Sequence, residues 1–307
     1  MRTSIGLDIG GTNISSVICD EQGRIVKALT RRTDYYGERY LDNIDEIIEN
    51  LIKVNDNELC GIGIGVPGTV NYDTGNVRMC PALNWKDLNL REHIQSRFAV
   101  EAIVDNDVNV WTLAEKQSGA ARTLDNFAMI TIGTGIGCGL CLNGRIYRGY
   151  SFEAGEIGYL PLGIQAYEEA ISESQFGFFE SRASALAAGR MFEEVTNKTA
   201  DCKEVFSLSK QGDLAAQRVV ENIYKYLGLG ISSLFCILNP QAVIIGGGMA
   251  KEGPEFLREV EKNVKRLIPL KTNLKLTQTG DFGGAAGSAM SLFLNKDSKD
   301  SVRTNVF

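Results

Sequence analysis

The chain's 307 residues are 44% hydrophobic and 23% charged, with a formal net charge of −6; this is an ordinary globular composition, long enough for two domains. The acidic balance argues against a nucleic-acid partner, which needs a basic face, and no apolar run approaches the ~20 residues that span a bilayer. Seven cysteines, at 19, 60, 80, 138, 141, 202 and 236, are odd in number and lie mostly in apolar runs, which predicts reduced, buried thiols in a cytoplasm.

Residues 5–9, 14–20 and 24–30 read as a β-meander. The N-terminus enters a strand almost at once, which predicts neither a signal peptide nor a DNA-binding headpiece. A helix follows over 41–54, with Ile44, Ile47, Ile48 and Leu51 on one face. A buried strand over 60–66 ends in Pro67-Gly68, and a helix-like stretch over 90–98 carries His93, the single histidine. No nucleophile lies near it, so a surface role is expected. A strand over 100–104 ends in Asp105-Asn106-Asp107, and 108–117 reads as a helix.

The plan then repeats, with strands over 127–133 and 138–142, a loop-rich insertion over 150–180 and helices over 182–195 and 213–236. A strand over 242–245 runs into Gly246-Gly247-Gly248, followed by a helix over 254–267, a strand over 273–278 and a helix over 284–294; the polar tail after Asn295 is expected to fray. Cys138 and Cys141 form a C-x-x-C pair, but residues three apart on a strand face opposite ways, which argues against a shared metal or disulfide. The repetition implies a duplicated α/β fold with a central cleft. The expected domains are 1–120 and 121–287, with a hinge near 119–125 and a C-terminal helix at about 288–307 packing back on the first.

Each half opens with a strand, a glycine turn and a second strand: Asp8-Ile9-Gly10-Gly11-Thr12-Asn13 in the first and Gly133-Thr134-Gly135-Ile136-Gly137 in the second. Glycine lets backbone N–H groups approach an anion closely, so two such turns could hold the polyphosphate of a nucleotide from both sides. A dinucleotide-binding fingerprint needs a helix directly after its glycines; here a strand follows, and that reading fails. Asp8 could orient a hydrated Mg²⁺ on the phosphates, or simply cap the turn. Asp105-Asn106-Asp107 stands where a strand gives way to a helix, so helix capping is one reading. Two carboxylates around an asparagine at a strand's C-terminal end, where α/β folds place ligands, is more than capping requires.

These motifs, with Ala154-Gly155-Glu156-Ile157-Gly158 and Ile245-Gly246-Gly247-Gly248, occur in the order typical of the ROK family, and the chain resembles that family from about residue 3 to 294. ROK groups bacterial sugar kinases with repressor relatives inside the actin/hexokinase/Hsp70 superfamily. The resemblance implies a duplicated ribonuclease-H-like (actin/hexokinase-type) two-domain fold with a central cleft, and ATP with Mg²⁺ as cofactors. It implies Asp107 as the base toward the attacking hydroxyl, with Gly68, Asn84, Asn106, Glu156, Tyr159 and Glu180 around the sugar. Gly10, Gly11, Thr12, Asn13, Gly133, Thr134 and Gly135 would hold the phosphates, and Gly246, Gly247 and Gly248 the adenosine side, with 283–287 as its other wall. A homodimer is the family expectation.

Many ROK proteins carry a histidine where this chain has Tyr159, followed by a cysteine cluster that holds structural zinc. Residues 159–180 contain neither Cys nor His, so no zinc site is expected. The implied activity is phosphorylation of a hexose at its 6-hydroxyl, of glucokinase, allose kinase or N-acetylmannosamine kinase type. A β-glucoside kinase, a non-catalytic sugar sensor and a non-sugar superfamily member are the alternatives.

Overall fold

The structure is a computed structural model that describes residues 1–33, 40–168 and 177–303, with side chains to 294. It divides into two compact units: Met1–Thr123 with Arg148–Ala154 and Gln278–Phe307, and Leu124–Tyr147 with Gly155–Thr277. The chain thus returns to the first unit at Gln278, and visits it briefly at Arg148–Ala154.

In the first unit, strands β1 (Arg2–Ile9), β2 (Asn13–Asp20) and β3 (Ile25–Arg32) form the meander, and helix α1 (Tyr40–Lys53) leads to β4 (Glu58–Val66). A small antiparallel sheet follows, built from β5 (Thr69–Asn71), β6 (Asn76–Cys80) and β7 (Trp85–Asn89), before α2 (Leu90–Phe98), β8 (Ala102–Asn106) and α3 (Asp107–Ser118). The main sheet has the order β3-β2-β1-β4-β8; β3, β2 and β1 are antiparallel, and β1, β4 and β8 run parallel. Ile44, Ile47, Ile48 and Leu51 of α1 are buried against this sheet's Ile5, Leu7, Ile62 and Ile64. His93 joins α2 to α1 through Asp45, Nε2 to Oδ1 at 2.9 Å.

The second unit repeats the topology. Strands β9 (Phe127–Ile132), β10 (Ile136–Leu142) and β11 (Arg145–Tyr147) are antiparallel neighbours. Short helices α4 (Gln165–Glu168) and α5 (Glu180–Ala183) precede α6 (Ala185–Thr196), α7 (Cys202–Lys210) and the long α8 (Leu214–Leu238). Then come β12 (Ala242–Gly246), α9 (Pro254–Leu267) and β13 (Leu274–Leu276), giving the sheet order β11-β10-β9-β12-β13 with β9, β12 and β13 parallel. Position for position this is the order of the first sheet, so the fold is a duplicated ribonuclease-H-like α/β architecture. No helix among the described residues is long and apolar enough to cross a membrane.

Helix α10 (Gly283–Arg303) completes the first unit by packing on β1, β4 and α3. It runs on past Asn295, where the polar composition predicts fraying. Its small face, Ala285, Ser288 and Ala289, lies directly on backbone: a Cβ at Gly63 would overlap the Ser288 carbonyl, and one at Gly6 the Ala285 carbonyl. On the same face, Ser4 Oγ donates to the Ala289 carbonyl at 2.9 Å. None of the seven cysteines forms a disulfide. Cys19, Cys80, Cys138 and Cys141 are buried as expected, whereas Cys236 is exposed on α8 and Cys60 and Cys202 are partly so.

Gly63→Ala is therefore expected to lower stability by about 1–3 kcal/mol, because neither backbone can yield. Gly248→Ala, whose Cβ would meet nothing within 4 Å, serves as the control. Urea titration of the two variants distinguishes them; equal midpoints would contradict the packing argument.

Candidate active site

The first glycine turn links β1 to β2. The Gly10 N–H donates to the Asn13 carbonyl at 2.9 Å, closing the turn. Thr33, just beyond β3, braces it from the side: its N–H donates to the Thr12 carbonyl at 2.9 Å and its Oγ1 to the Gly10 carbonyl at 2.8 Å. The carbonyls are thereby drawn into the protein, and Thr12 and Asn13 stay exposed. The sequence did not single out Thr33, which lies 23 residues from Gly10. Asp8 enters the turn with its carboxyl facing α10, where a Cβ on Gly284 would overlap its Oδ2. No hydrogen bond or ion pair reaches Asp8 among the described residues, and burial raises its pKa from 3.8 to about 7. The glycines at 283, 284 and 287 lie against Trp111, Asp8 and Val110 in the first unit. Packing thus accounts for glycines that the sequence reading gave to an adenosine wall.

At the start of α3 the capping reading of Asp105-Asn106-Asp107 applies to Asn106. Asn106 is the N-cap: its Oδ1 accepts from the Val108 N–H at 2.9 Å and the Asn109 N–H at 3.2 Å. Its Nδ2 donates to the Gly68 carbonyl at 3.2 Å, which leaves one Nδ2 hydrogen for a ligand. Asp107 is the first residue of the helix, partly buried, with Oδ1 accepting from its own neighbour Val108 N–H at 2.9 Å. The helix N-terminus favours its negative charge. Asp105 points the other way, into the protein, and is 4% exposed.

A buried carboxylate needs a cation or several donors, and Asp105 has both. Arg148 Nη2 lies 2.6 Å from its Oδ2, and Arg148 Nε lies 3.1 Å from Oδ2 and 3.3 Å from Oδ1. Glu115, wholly buried at the other end of α3, accepts from the N–H groups of Ala120, Gln278 and Thr279 and from Thr279 Oγ1, at 2.7–3.1 Å. Neither Arg148 nor Glu115 was found from the sequence. The signal that could have found Arg148 is the acidic Asp105 closing an apolar strand, which demands a partner from elsewhere.

Gly68 and Asn84 belong to the same unit. A Cβ at Gly68 would overlap the Met79 carbonyl of β6, so close packing explains this glycine without a ligand. Asn84 is exposed and left-handed, φ 54°, where the turn after Pro81–Leu83 ends. Trp85 beside it is core, edge-on to Tyr40 with centroids 6.2 Å apart.

In the second unit, Gly133 closes its turn by donating to the Gly135 carbonyl at 2.9 Å, and its carbonyl accepts from Ala185 at the start of α6 at 2.8 Å. A Cβ on Gly133 would meet open space, so this turn is open on one side, and Thr134 is exposed between the two glycines. A Cβ on Gly135 would overlap Glu180 Oε2, the oxygen that accepts from the Ile136 N–H at 2.6 Å. Glu180 thus sits under the glycine turn, with burial raising its pKa against the effect of that hydrogen bond.

Glu156, Tyr159 and Glu180 come together. Gly155, with φ 96°, folds against the Cys138 carbonyl, and the single turn Ile157–Tyr159 brings Gly158 onto Gly177 and Glu180. Glu156 and Tyr159 are exposed. The Tyr159 pKa is raised by burial, then by the charges of Glu156 and Glu180. Aromatic packing occupies the neighbourhood: Phe178 stands edge-on to Tyr226, and the Phe179 ring fills the place of a Cβ on Gly230 of α8. No group of three or more metal-ligating side chains occurs among the described residues. Gly246 ends β12, and Gly247, φ 86°, lies on the backbone of Ile132 at the end of β9, a place no side chain fits. Gly248 is open.

A sequence model described as the ROK family matches residues 4–295. The glucokinase of Halalkalibacterium halodurans is 31% identical over 85% of this chain and 85% of its own. The xylose repressor of Bacillus subtilis is 29% identical over 86% of this chain and 69% of its own. The crystal structure of a ROK glucokinase from Streptomyces griseus, in complex with glucose and AMPPNP, superposes with a TM-score of 0.80 at 26% identity, covering 94% of this chain and 98% of that one.

The Asp8 carboxyl gives a measurable pH effect. With a folded value of about 7 against an ordinary 3.8, the folded state holds the extra proton between those limits. Its contribution to stability therefore falls as pH rises through that window, by up to ~1.4 kcal/mol per pH unit, and is level above it. Asp8→Asn is expected to flatten this limb and to be more stable than the parent at pH 8 in urea titrations. An unchanged slope overturns the assignment.

Proposed function

Because this chain belongs to the ROK family, we propose that it is an ATP-dependent hexose kinase in which Asp107 is the general base. The observation that carries this reading is the immobilised turn at the start of α3. Asn106 and Asn109 are both fixed by hydrogen bonds, while Asp107 between them keeps a partly exposed carboxylate. In the proposed step Asp107 takes the proton of a sugar hydroxyl, O6 in this reading, as its oxygen attacks the γ-phosphorus. The bond from that phosphorus to the bridging oxygen breaks, and ADP leaves.

The glycine turns at 10–13 and 133–135 supply backbone N–H groups for the phosphates, and Gly246–Gly248 the adenosine side. Asn84, Asn106, Glu156 and Glu180 are the groups proposed for the ring. A carboxylate can accept from adjacent hydroxyls with fixed geometry. Tyr159 supplies a hydroxyl near Glu156, and Gly68 presents backbone.

The Asp8 carboxyl, desolvated and without a cation, fits a magnesium ion. Mg²⁺ commonly takes one or two carboxylates together with substrate phosphates and water, so it needs no cluster of three protein ligands. When bound with the nucleotide it would offset the phosphate charge. A homodimer is part of the proposal and can be read by sedimentation. The resemblance to a repressor sustains a second reading, a sugar sensor without turnover.

ADP release from Mg·ATP across a hexose panel that includes β-glucosides tests the proposal. Asp107→Asn is expected to lower kcat by at least ~10²-fold, with the sugar KM within a few-fold of the parent. A parent protein that releases no ADP, yet gains thermal stability with a sugar, would be the sensor instead.

A further inference from the structure

We propose that Arg148 is a positioning residue for phosphoryl transfer, acting through Asp105 on the turn that carries Asp107; the proposal rests on the kinase reading above. The Arg148 side chain is 20% exposed and that of Asp105 5%. One edge of the guanidinium engages the carboxylate, with Nη2 at 2.6 Å and Nε at 3.1 Å from Oδ2. The guanidinium carbon lies 3.7 Å from the centroid of the Tyr72 ring. Burial opposes the Arg148 charge, but Asp105 outweighs it and holds the group above its ordinary value.

What the pair does follows from the other contacts of Asp105. Its Oδ1 accepts from the Asn106 N–H at 2.8 Å and from Asn109 Nδ2 at 3.2 Å. One carboxylate thus grips the residue before Asp107 and the residue two after it. The grip on Asn109 is the more telling, because Asn109 Oδ1 is buried with no partner. Asp105 is therefore what sets the orientation of that amide. Asn106 in turn reaches Gly68, so the ion pair braces the turn on both sides of Asp107.

Arg148 has a second hold on the candidate site. It opens the Arg148–Ala154 loop, which the Ala154 N–H closes by donating to the Arg148 carbonyl at 3.0 Å, and Arg78 Nη1 ties the loop to β6 by donating to the Ser151 carbonyl at 3.2 Å. Gly155-Glu156 follow directly in the chain. The residue that steadies the base thus also anchors the segment leading to a proposed ring-binding carboxylate. Lysine cannot replace it: a point charge neither forks onto a carboxylate nor stacks flat on a ring. Without Arg148, Asp105 would be a buried unpaired charge two residues from Asp107, free to rotate away from Asn109.

The test compares kcat and KM of the parent, Arg148→Met, Arg148→Lys and Asp105→Asn, with calorimetric melting to confirm folding. Arg148→Met is expected to lower kcat by ~10²-fold and leave the KM for ATP within about threefold. Guanidinium ion at sub-denaturing concentration should restore at least ~10-fold of that loss in Arg148→Met and nothing in the parent, a response that a merely structural role does not give. Arg148→Lys, which keeps the charge and loses the fork, should fall between parent and Arg148→Met. If Arg148→Met fails to fold, Arg148→Lys and Asp105→Asn carry the comparison, each expected to lower kcat by at least ~10-fold. Variants with parental kcat, or with a loss confined to KM or refractory to guanidinium, overturn the role of Arg148 alone. A parent without sugar-dependent turnover overturns this proposal and the kinase reading together.

Discussion

The first unit depends on one contact, that of a helix backbone on a sheet with no side chain between them. α10 lies against β1 and β4 at positions where Gly6 and Gly63 leave room for the carbonyls of Ala285 and Ser288. The same helix meets α3 at Gly287, beside the Val110 carbonyl, and faces Asp8 at Gly284. Close approach multiplies weak dispersion contacts and shuts out water. It also sets where Asp8 and the first turn of α3 stand, so the chemistry of this unit is placed by residues with almost no side chain.

Three carboxylates within that unit show how differently a fold can treat a negative charge. Glu115 is saturated with backbone and hydroxyl donors, and Asp105 is neutralised by an arginine fork. Asp8 is partly buried with neither, and desolvation raises its pKa. The first two arrangements belong to a finished structure. The third stands beside a glycine turn.

Much of this was legible in the sequence because it is local. Alternating apolar strands and glycine turns mark both meanders, and the ordering of the acidic and glycine motifs carried the family resemblance. The small sheet of β5, β6 and β7 was not read, since its strands are short and interrupted by Asn, Asp and Gly. α7 was also not read. In the candidate site, the residues proposed from motifs, Asp107, Glu156, Tyr159 and Glu180 among them, could be named because each lies in a local pattern. Those that act across the chain were not: Arg148 reaches a partner 43 residues away and Glu115 one 164 away. Periodicity and turn chemistry carry no information at that range.

The position of α10 in the chain bears on biogenesis. During synthesis β1 to α3 leave the ribosome first, yet the glycine-lined face of their sheet stays bare until residues 283–292 have followed. Leu124–Tyr147 and Gly155–Thr277 are complete before then. The later-made unit is thus the first able to close its core, and the earlier-made one waits with exposed strands until α10 has been made, the interval in which a chaperone has most to protect.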